Sequence, residues 1–130
     1  MILAIRTDKP EAELYLLSIA GKTVADHKWL DDRELANMLL RTIDEFMALH
    51  KVGYEKLTGI IVYEGPGSFT GLRIGVTVAN TIAYSQNIPI VASAGESWLK
   101  VGYISLSEAK PGKYVSPEYG SPANISKPKK

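Results

Sequence analysis

Short apolar runs alternate with turn residues through the first thirty positions of the chain. The apolar run 2–5 is typical of a buried strand, and a turn at Pro10 follows it. A second strand is predicted over 13–19, and a tight turn at Gly21 leads into a third strand over 23–29. The chain therefore begins with a three-stranded β-segment.

Two later segments repeat apolar residues with a helical period. The first predicted helix spans 33–50, with an aspartate pair before it to cap its start. The second spans 70–85. Between them, 57–63 is apolar on both faces, as in a central strand covered on two sides, and 89–92 is predicted as a last strand. The order βββαβαβ predicts an α/β fold, a mixed five-stranded sheet with packed helices, as in one lobe of the ribonuclease-H and actin-like (ASKHA) class.

The chain divides into a predicted lobe and a basic tail. Residues 1–106 carry the predicted elements, whereas the proline-rich stretch 107–130 is predicted to be extended. That tail holds five lysines and two glutamates, a net charge of +3, although the whole chain has a net charge of only +1. A nearly neutral body does not indicate a domain that grips a nucleic-acid backbone unaided, because phosphate contacts dominate such binding.

The composition excludes several kinds of chemistry. The chain has no cysteine, which rules out disulfides, a thiol nucleophile and cysteine-ligated metals. With two histidines and no HExxH motif, neither a metal site nor a cofactor is expected. The N-terminus lacks a signal-peptide pattern, and no apolar run approaches the roughly 18 residues of a membrane span. We therefore expect a cytoplasmic protein without membrane contact.

A glycine-rich connection joins the fourth predicted strand to the second helix, and 65–75 reads Gly-Pro-Gly-Ser-Phe-Thr-Gly-Leu-Arg-Ile-Gly. Free N–H groups at a helix start favour an anion, so this loop is a candidate phosphate or carboxylate site. Its candidate anion-binding residues are Gly65, Gly67, Ser68 and Thr70. A tight strand-to-helix connection with a side-chain cap explains the same residues. The spacing is neither that of a P-loop nor that of a dinucleotide-binding motif.

The second predicted helix carries a face of small residues. Gly71 and Gly75 lie four residues apart, and Ala79 continues that face. The helix is also apolar over most of its girth, whereas the sheet covers only one side of it. Contact with a partner protein is therefore one interpretation, and packing against the helix 33–50 within the chain is the alternative.

The run 65–75, placed after the strand 57–63, resembles the signature of the TsaB family, also called YeaZ. The first strand, followed by Thr7, is similar to the first strand of that family, and 89–93 is similar to its strand after the signature helix. The resemblance covers about residues 1–100.

This resemblance implies an actin-like, non-catalytic subunit that supports the synthesis of threonylcarbamoyladenosine (t6A) on tRNA. It implies that the chain binds the catalytic subunit TsaD, with TsaE in the same complex, and meets tRNA only indirectly. TsaD would perform the transfer and hold the metal. Docking on TsaD, or a homodimer when the chain is alone, would use the first two helices. The implied interface residues are Leu35, Met38, Leu39, Thr42, Gly71, Leu72, Arg73, Gly75, Val76 and Ala79.

Three features depart from the family pattern. Arg6 stands where the family usually has an acid, and because arginine cannot coordinate a cation, nucleotide–metal chemistry is not expected there. Leu35 stands where the family often has a histidine. Family members are usually longer, so the resemblance implies a form lacking most of the second lobe. Two alternatives stay open: a small phosphate- or nucleotide-binding lobe that uses the loop Gly65–Gly71, and a degenerate relative that only self-associates.

Overall fold

The computed structural model describes residues 1–116 and shows five strands and three α-helices in that range. The strands are β1 (Ile2–Arg6), β2 (Glu11–Leu17), β3 (Thr23–Leu30), β4 (Gly59–Tyr63) and β5 (Ile90–Ser93). The helices are α1 (Leu35–Leu49), α2 (Phe69–Gln86) and α3 (Trp98–Leu106), with a short 3-10 turn at Tyr54–Lys56. The predicted order of strands and helices is confirmed, and α3 extends it.

The strands form one mixed sheet in the order β3-β2-β1-β4-β5. β2 is antiparallel to both β1 and β3, whereas β4 lies parallel to β1 and β5 parallel to β4. Leu16 pairs with Ala25 and Leu17 with Thr23, so Val24 is an extra residue that bulges from β3. The predicted α/β fold class is confirmed.

Side chains of the central strand β1 alternate between the two faces of the sheet. Leu3 and Ile5 belong to the core beneath α1 and α2, whereas Ile2 and Ala4 pack on the α3 side with Trp98. Both faces are covered, and for this reason β1 and β4 are apolar on both sides. No helix among residues 1–116 has the length and apolar character that a membrane crossing requires.

The start of α1 differs from the prediction. Glu34, not an aspartate, is the N-cap residue, and its side chain accepts no capping hydrogen bond. Asp31 instead accepts a hydrogen bond from the Glu34 N–H at 2.9 Å. The aspartate therefore closes the turn before the helix, because it accepts from the N–H three positions further along the chain.

The chain after α3 passes to the opposite side of the sheet. The Val115 N–H donates to Asn80 Oδ1 at 3.1 Å, and Asn80 Nδ2 donates to the Val115 carbonyl at 3.0 Å. Asn80 is in α2, so this segment lies alongside that helix, with Val115 packed at the edge of the core. Of the predicted tail 107–130, only the part up to Ser116 is among the described residues, and 117–130 lies outside them.

Candidate functional site

The amino end of α2 packs directly on the chain that leaves β1. A Cβ atom added to Gly71 would lie 2.2 Å from the Thr7 carbonyl oxygen, and one added to Gly75 would lie 2.1 Å from Thr7 Oγ1. Thr7 Oγ1 also donates a hydrogen bond to the Gly71 carbonyl at 2.7 Å. At Gly67, an added Cβ would lie 2.5 Å from the Cβ of Asp8. The signature glycines thus admit Thr7 and Asp8, the two residues that follow β1, at close range.

Most of the interface residues that the resemblance implied lie in the core of the chain itself. Leu39, Leu72 and Ala79 have no exposed surface. The buried members of the set are Leu35, Leu39, Leu72, Gly75, Val76 and Ala79. Their stripe faces the sheet and the neighbouring helix, so intramolecular packing, the alternative left open by the sequence, accounts for them. These side chains offer no surface to a partner in this conformation.

The remaining members of that set reach the surface. Met38 and Thr42 are half-buried and lie one turn apart on α1, and Arg73 is exposed on α2. Gly71 is half-buried beneath the end of β1. These four are the part of the implied interface that can still meet another protein.

Two further residues of α2 belong with this surface. Ile74 and Val78 lie one turn apart and remain half-buried while they pack against the edge of the core. We call Met38, Thr42, Ile74 and Val78 the outer helical strip. Ile74 and Val78 were absent from the implied interface, although their four-residue spacing marks a second apolar face of the helix.

The predicted anion-binding loop is engaged within the chain. Gly65 is buried, whereas Gly67, Ser68 and Thr70 are exposed. The Ser68 N–H donates to the Asp8 carbonyl at 2.9 Å, and Ser68 Oγ accepts from the Gly71 N–H at 3.3 Å. The predicted side-chain cap of α2 is therefore confirmed at Ser68.

A cavity of about 650 Å³ borders this loop. Its charged lining residues are Asp8, Lys9, Asp31, Asp32 and Arg33. Asp8 is paired with Arg6 and Lys9 with Glu13. The two remaining carboxylates against Arg33 leave a net negative charge, which opposes the binding of an anion. The cavity walls therefore do not favour the phosphate that the loop alone suggested.

Arg6 ends β1 in a closed cluster of polar and aromatic side chains. Its Nε donates to Asp8 Oδ1 at 2.7 Å and its Nη2 to Asp8 Oδ2 at 3.2 Å, a two-pronged ion pair. The guanidinium carbon lies 3.9 Å from the ring centroid of Tyr63 and 6.0 Å from that of Trp98. Burial lowers the pKa of Arg6, but the hydrogen bond and charge of Asp8, with smaller effects of Tyr63 and Glu13, raise that pKa overall. Arg6 therefore stays charged and held in place.

The chain is similar in sequence to proteins whose names refer to t6A biosynthesis. The family model described as TsaD, tRNA N6-adenosine threonylcarbamoyltransferase, matches residues 30–93, the range that contains α1, β4, α2 and β5. Over 109 residues the chain is 30% identical to the tRNA threonylcarbamoyladenosine biosynthesis protein TsaB of Haemophilus influenzae, a match that covers 84% of this chain and 45% of that protein.

A shorter match and a solved structure agree with this likeness. The Bacillus subtilis protein of the same name is 58% identical over 38 residues, 29% of this chain and 17% of that protein. The structure of YeaZ from Pseudomonas aeruginosa has a TM-score of 0.65 and 27% sequence identity, and the match covers 72% of this chain and 43% of that one. The chain spans less than half the length of these relatives.

Proposed function

We propose, because the chain belongs to the TsaB (YeaZ) family, that it is a non-catalytic partner of a TsaD-type transferase in t6A modification of tRNA. In this proposal it docks through the outward faces of α1 and α2. TsaE belongs to the same complex, tRNA meets the chain only indirectly, and the assembly works in the cytoplasm. The chain contributes a surface, and its partner performs the transfer.

The observation that carries this proposal is the outer helical strip. Its four residues stay half-buried although α1 and α2 have filled the core beneath them. Three of them, Met38, Ile74 and Val78, are apolar and partly exposed on two adjacent helices. Such side chains suit packing by a helix of another protein, because that contact removes them from water. The strip also lies within 30–93, the range that resembles the TsaD family, so this helical pair is a feature that the two families share.

The state of Arg6 supports a non-catalytic role. Both carboxylate oxygens of Asp8 accept hydrogen bonds from its guanidinium. An acid at the end of the first strand could help to hold a cation, but here that position carries a positive charge which repels one. The end of β1 is therefore held by an ion pair, and the nearest carboxylate, that of Asp8, is already neutralised.

A phosphate- or nucleotide-binding lobe is the competing function. The cavity beside the Ser68 loop favours it, because a ligand could enter there. The net negative charge of the lining, after Asp8 is neutralised by Arg6 and Lys9 by Glu13, opposes it. Calorimetric titration of the chain with ATP and with inorganic phosphate separates the two functions. Docking on a transferase requires neither ligand, whereas saturable binding of either one would favour the competing function.

Docking is tested by co-purification of the chain with the TsaD-type enzyme of the same organism. Thr42→Arg and Arg73→Glu change surface residues of α1 and α2 without entering the core, and each should weaken binding at least about tenfold. Gly75 is unsuitable for this test, since any side chain there meets Thr7.

Lys100→Glu is the matched control, because Lys100 is an exposed residue of α3, on the other side of the sheet. It should bind like the unchanged chain. Failure of the unchanged chain to bind at micromolar concentration would refute the docking function, and self-association measured on the same sample would then support the self-associating alternative.

A further inference from the structure

β3 forms one edge of the sheet. Among residues 1–116 it pairs only with β2, and most of its residues are exposed. The Asp31 N–H, just past the strand, donates to the Pro10 carbonyl of the neighbouring chain segment at 2.8 Å. Backbone groups of an antiparallel strand point alternately to its two sides, so odd-numbered residues here bond to β2. Asp26 and Lys28 therefore direct their N–H and C=O groups outward, away from the sheet.

An open strand edge can pair with a second copy of the same strand, but only in certain registers. In an antiparallel pair related by a two-fold axis, two opposed residues both direct their backbone groups toward the other strand, or both direct them away from it. Opposed residues of β3 must therefore both have even numbers or both have odd numbers. The axis consequently passes through a residue and not between two residues. Centred on residue 26 or on residue 28, the pairing sets like charges against each other, Asp26 on Asp26 or Lys28 on Lys28, which is destabilising.

Centred on His27, the pairing is complementary. Asp26 then opposes Lys28 of the second copy, and the symmetry repeats this contact, so each copy's outward backbone groups find partners. The bulge at Val24 ends the regular pairing, which leaves a paired stretch of five residues, 25–29. The residues that flank this stretch, Val24 (52% exposed) and Leu30 (77% exposed), are two apolar side chains in contact with water.

The charges on the neighbouring strand continue this pattern across the sheet. Lys28 lies beside Glu13 of β2, and Asp26 lies beside Tyr15. In the paired state a row of side chains would therefore run Glu13, Lys28, then Asp26 of the second copy, with the sign changing at each step. Charges on a strand edge commonly prevent indiscriminate pairing; here they also select one register.

We propose that β3 pairs with β3 of a second copy of this chain, in antiparallel orientation and centred on His27, to form a continuous ten-stranded sheet. This contact goes beyond the proposed function and uses a different surface, because the outer helical strip lies on the face of the sheet and β3 at its edge. Docking on a transferase and this pairing can therefore fail separately.

Charge reversal tests the register. Asp26→Lys sets a lysine opposite Lys28 of the second copy, and Lys28→Glu sets a glutamate opposite Asp26, so each variant replaces two attractive pairs by two repulsive ones. Sedimentation equilibrium should show the dimer dissociation constant of each variant raised at least about tenfold. In an equimolar mixture of the two variants every opposed pair is again of opposite sign, and dimers of one copy of each should form with the affinity of the unchanged chain.

The controls keep the net charge of each variant but place the change elsewhere. Glu108→Lys and Lys100→Glu alter exposed residues at or near α3 and should leave association unchanged. Circular dichroism checks that Lys28→Glu, which lies beside Glu13, remains folded. If it does not, Asp26→Lys still decides, because high salt should restore part of its association by screening the two lysines.

The proposal is overturned if the unchanged chain stays monomeric at its highest soluble concentration. It is also overturned if the reversals associate as the controls do, or if two folded single variants do not recover affinity on mixing.

Discussion

Among the signature glycines that contact Thr7 or Asp8, Gly75 leaves the least room for a side chain. Gly75→Ala would bring a Cβ to 2.1 Å from Thr7 Oγ1, and Thr7 is 2% exposed and already bonded to the Gly71 carbonyl. Because neither the helix nor the end of β1 can retreat without disturbing the core, we expect a loss of about 2–3 kcal/mol in the free energy of unfolding. Urea denaturation followed by circular dichroism measures this loss.

A second substitution identifies the cause of that loss. Thr7→Ala removes Oγ1, so Gly75→Ala should cost clearly less in the Thr7→Ala background than in the unchanged chain. Equal costs in the two backgrounds would contradict the steric explanation. Helix propensity does not explain a loss either, because it favours alanine over glycine.

The glycine spacing could be predicted from the sequence to matter, but not the group that requires it. Two small residues four positions apart on a helix are compatible with a partner helix, a ligand or a nearby strand. The atoms that meet them, a carbonyl oxygen and a hydroxyl oxygen, both belong to Thr7, 64 residues before Gly71. Only the parallel pairing of β1 with β4, which brings the end of β1 beneath the start of α2, makes Thr7 that neighbour. Proximity of this kind is a property of the fold and leaves no local pattern.

At the scale of the helix, two serines at helix starts allow the contribution of a side-chain cap to be compared. Ser68 caps α2 by accepting from the Gly71 N–H, whereas Ser97 precedes α3 and makes no side-chain cap. Ser68→Ala should therefore lower the free energy of unfolding by about 1 kcal/mol, and Ser97→Ala should change it by only a few tenths. Thermal or urea unfolding of the two variants provides the comparison. A larger loss for Ser97→Ala would show that the capping geometry is not what stabilises α2.

The strands and helices themselves were accessible from the sequence because their signals are local. α1 and α2 repeat apolar residues with a helical period, and their observed bounds lie within two residues of the predicted ones. What the apolar faces of these helices contact was harder to predict from the sequence. A helix that is apolar over most of its girth must be covered, but the sequence does not say whether the sheet, the other helix or a partner provides the cover. In α2 the chain itself covers Leu72, Val76 and Ala79, whereas Ile74 and Val78 of the outer helical strip remain partly exposed.

At the scale of the whole molecule, the chain wraps around its own sheet. β5 leads into α3 on one face, and the following segment returns to the other face, where Val115 packs at the edge of the core beneath α1 and α2. The ring of Tyr114 lies 6.3 Å from that of Tyr84, an α2 residue. The side chain of Asn80 both donates to and accepts from the Val115 backbone, much as a neighbouring strand would. One amide thus secures a segment that links the two layers of helices.

Removing that amide should release the segment without unfolding the lobe. Asn80→Ala deletes both hydrogen bonds, whereas alanine is favourable in the helix. The substitution should therefore lower the free energy of local opening near Val115 and leave α2 intact. Tryptic cleavage after the exposed Lys113, followed by mass spectrometry, should become about tenfold faster or more, since cleavage tracks the open population. Asn80→Asp keeps the acceptor for the Val115 N–H and should give an intermediate rate.

Asn37→Ala, at an exposed position of α1, is the control and should cleave like the unchanged chain. Equal rates for all four proteins would mean that the aromatic and apolar contacts of Tyr114 and Val115 hold the segment, and that the amide clamp adds nothing to them.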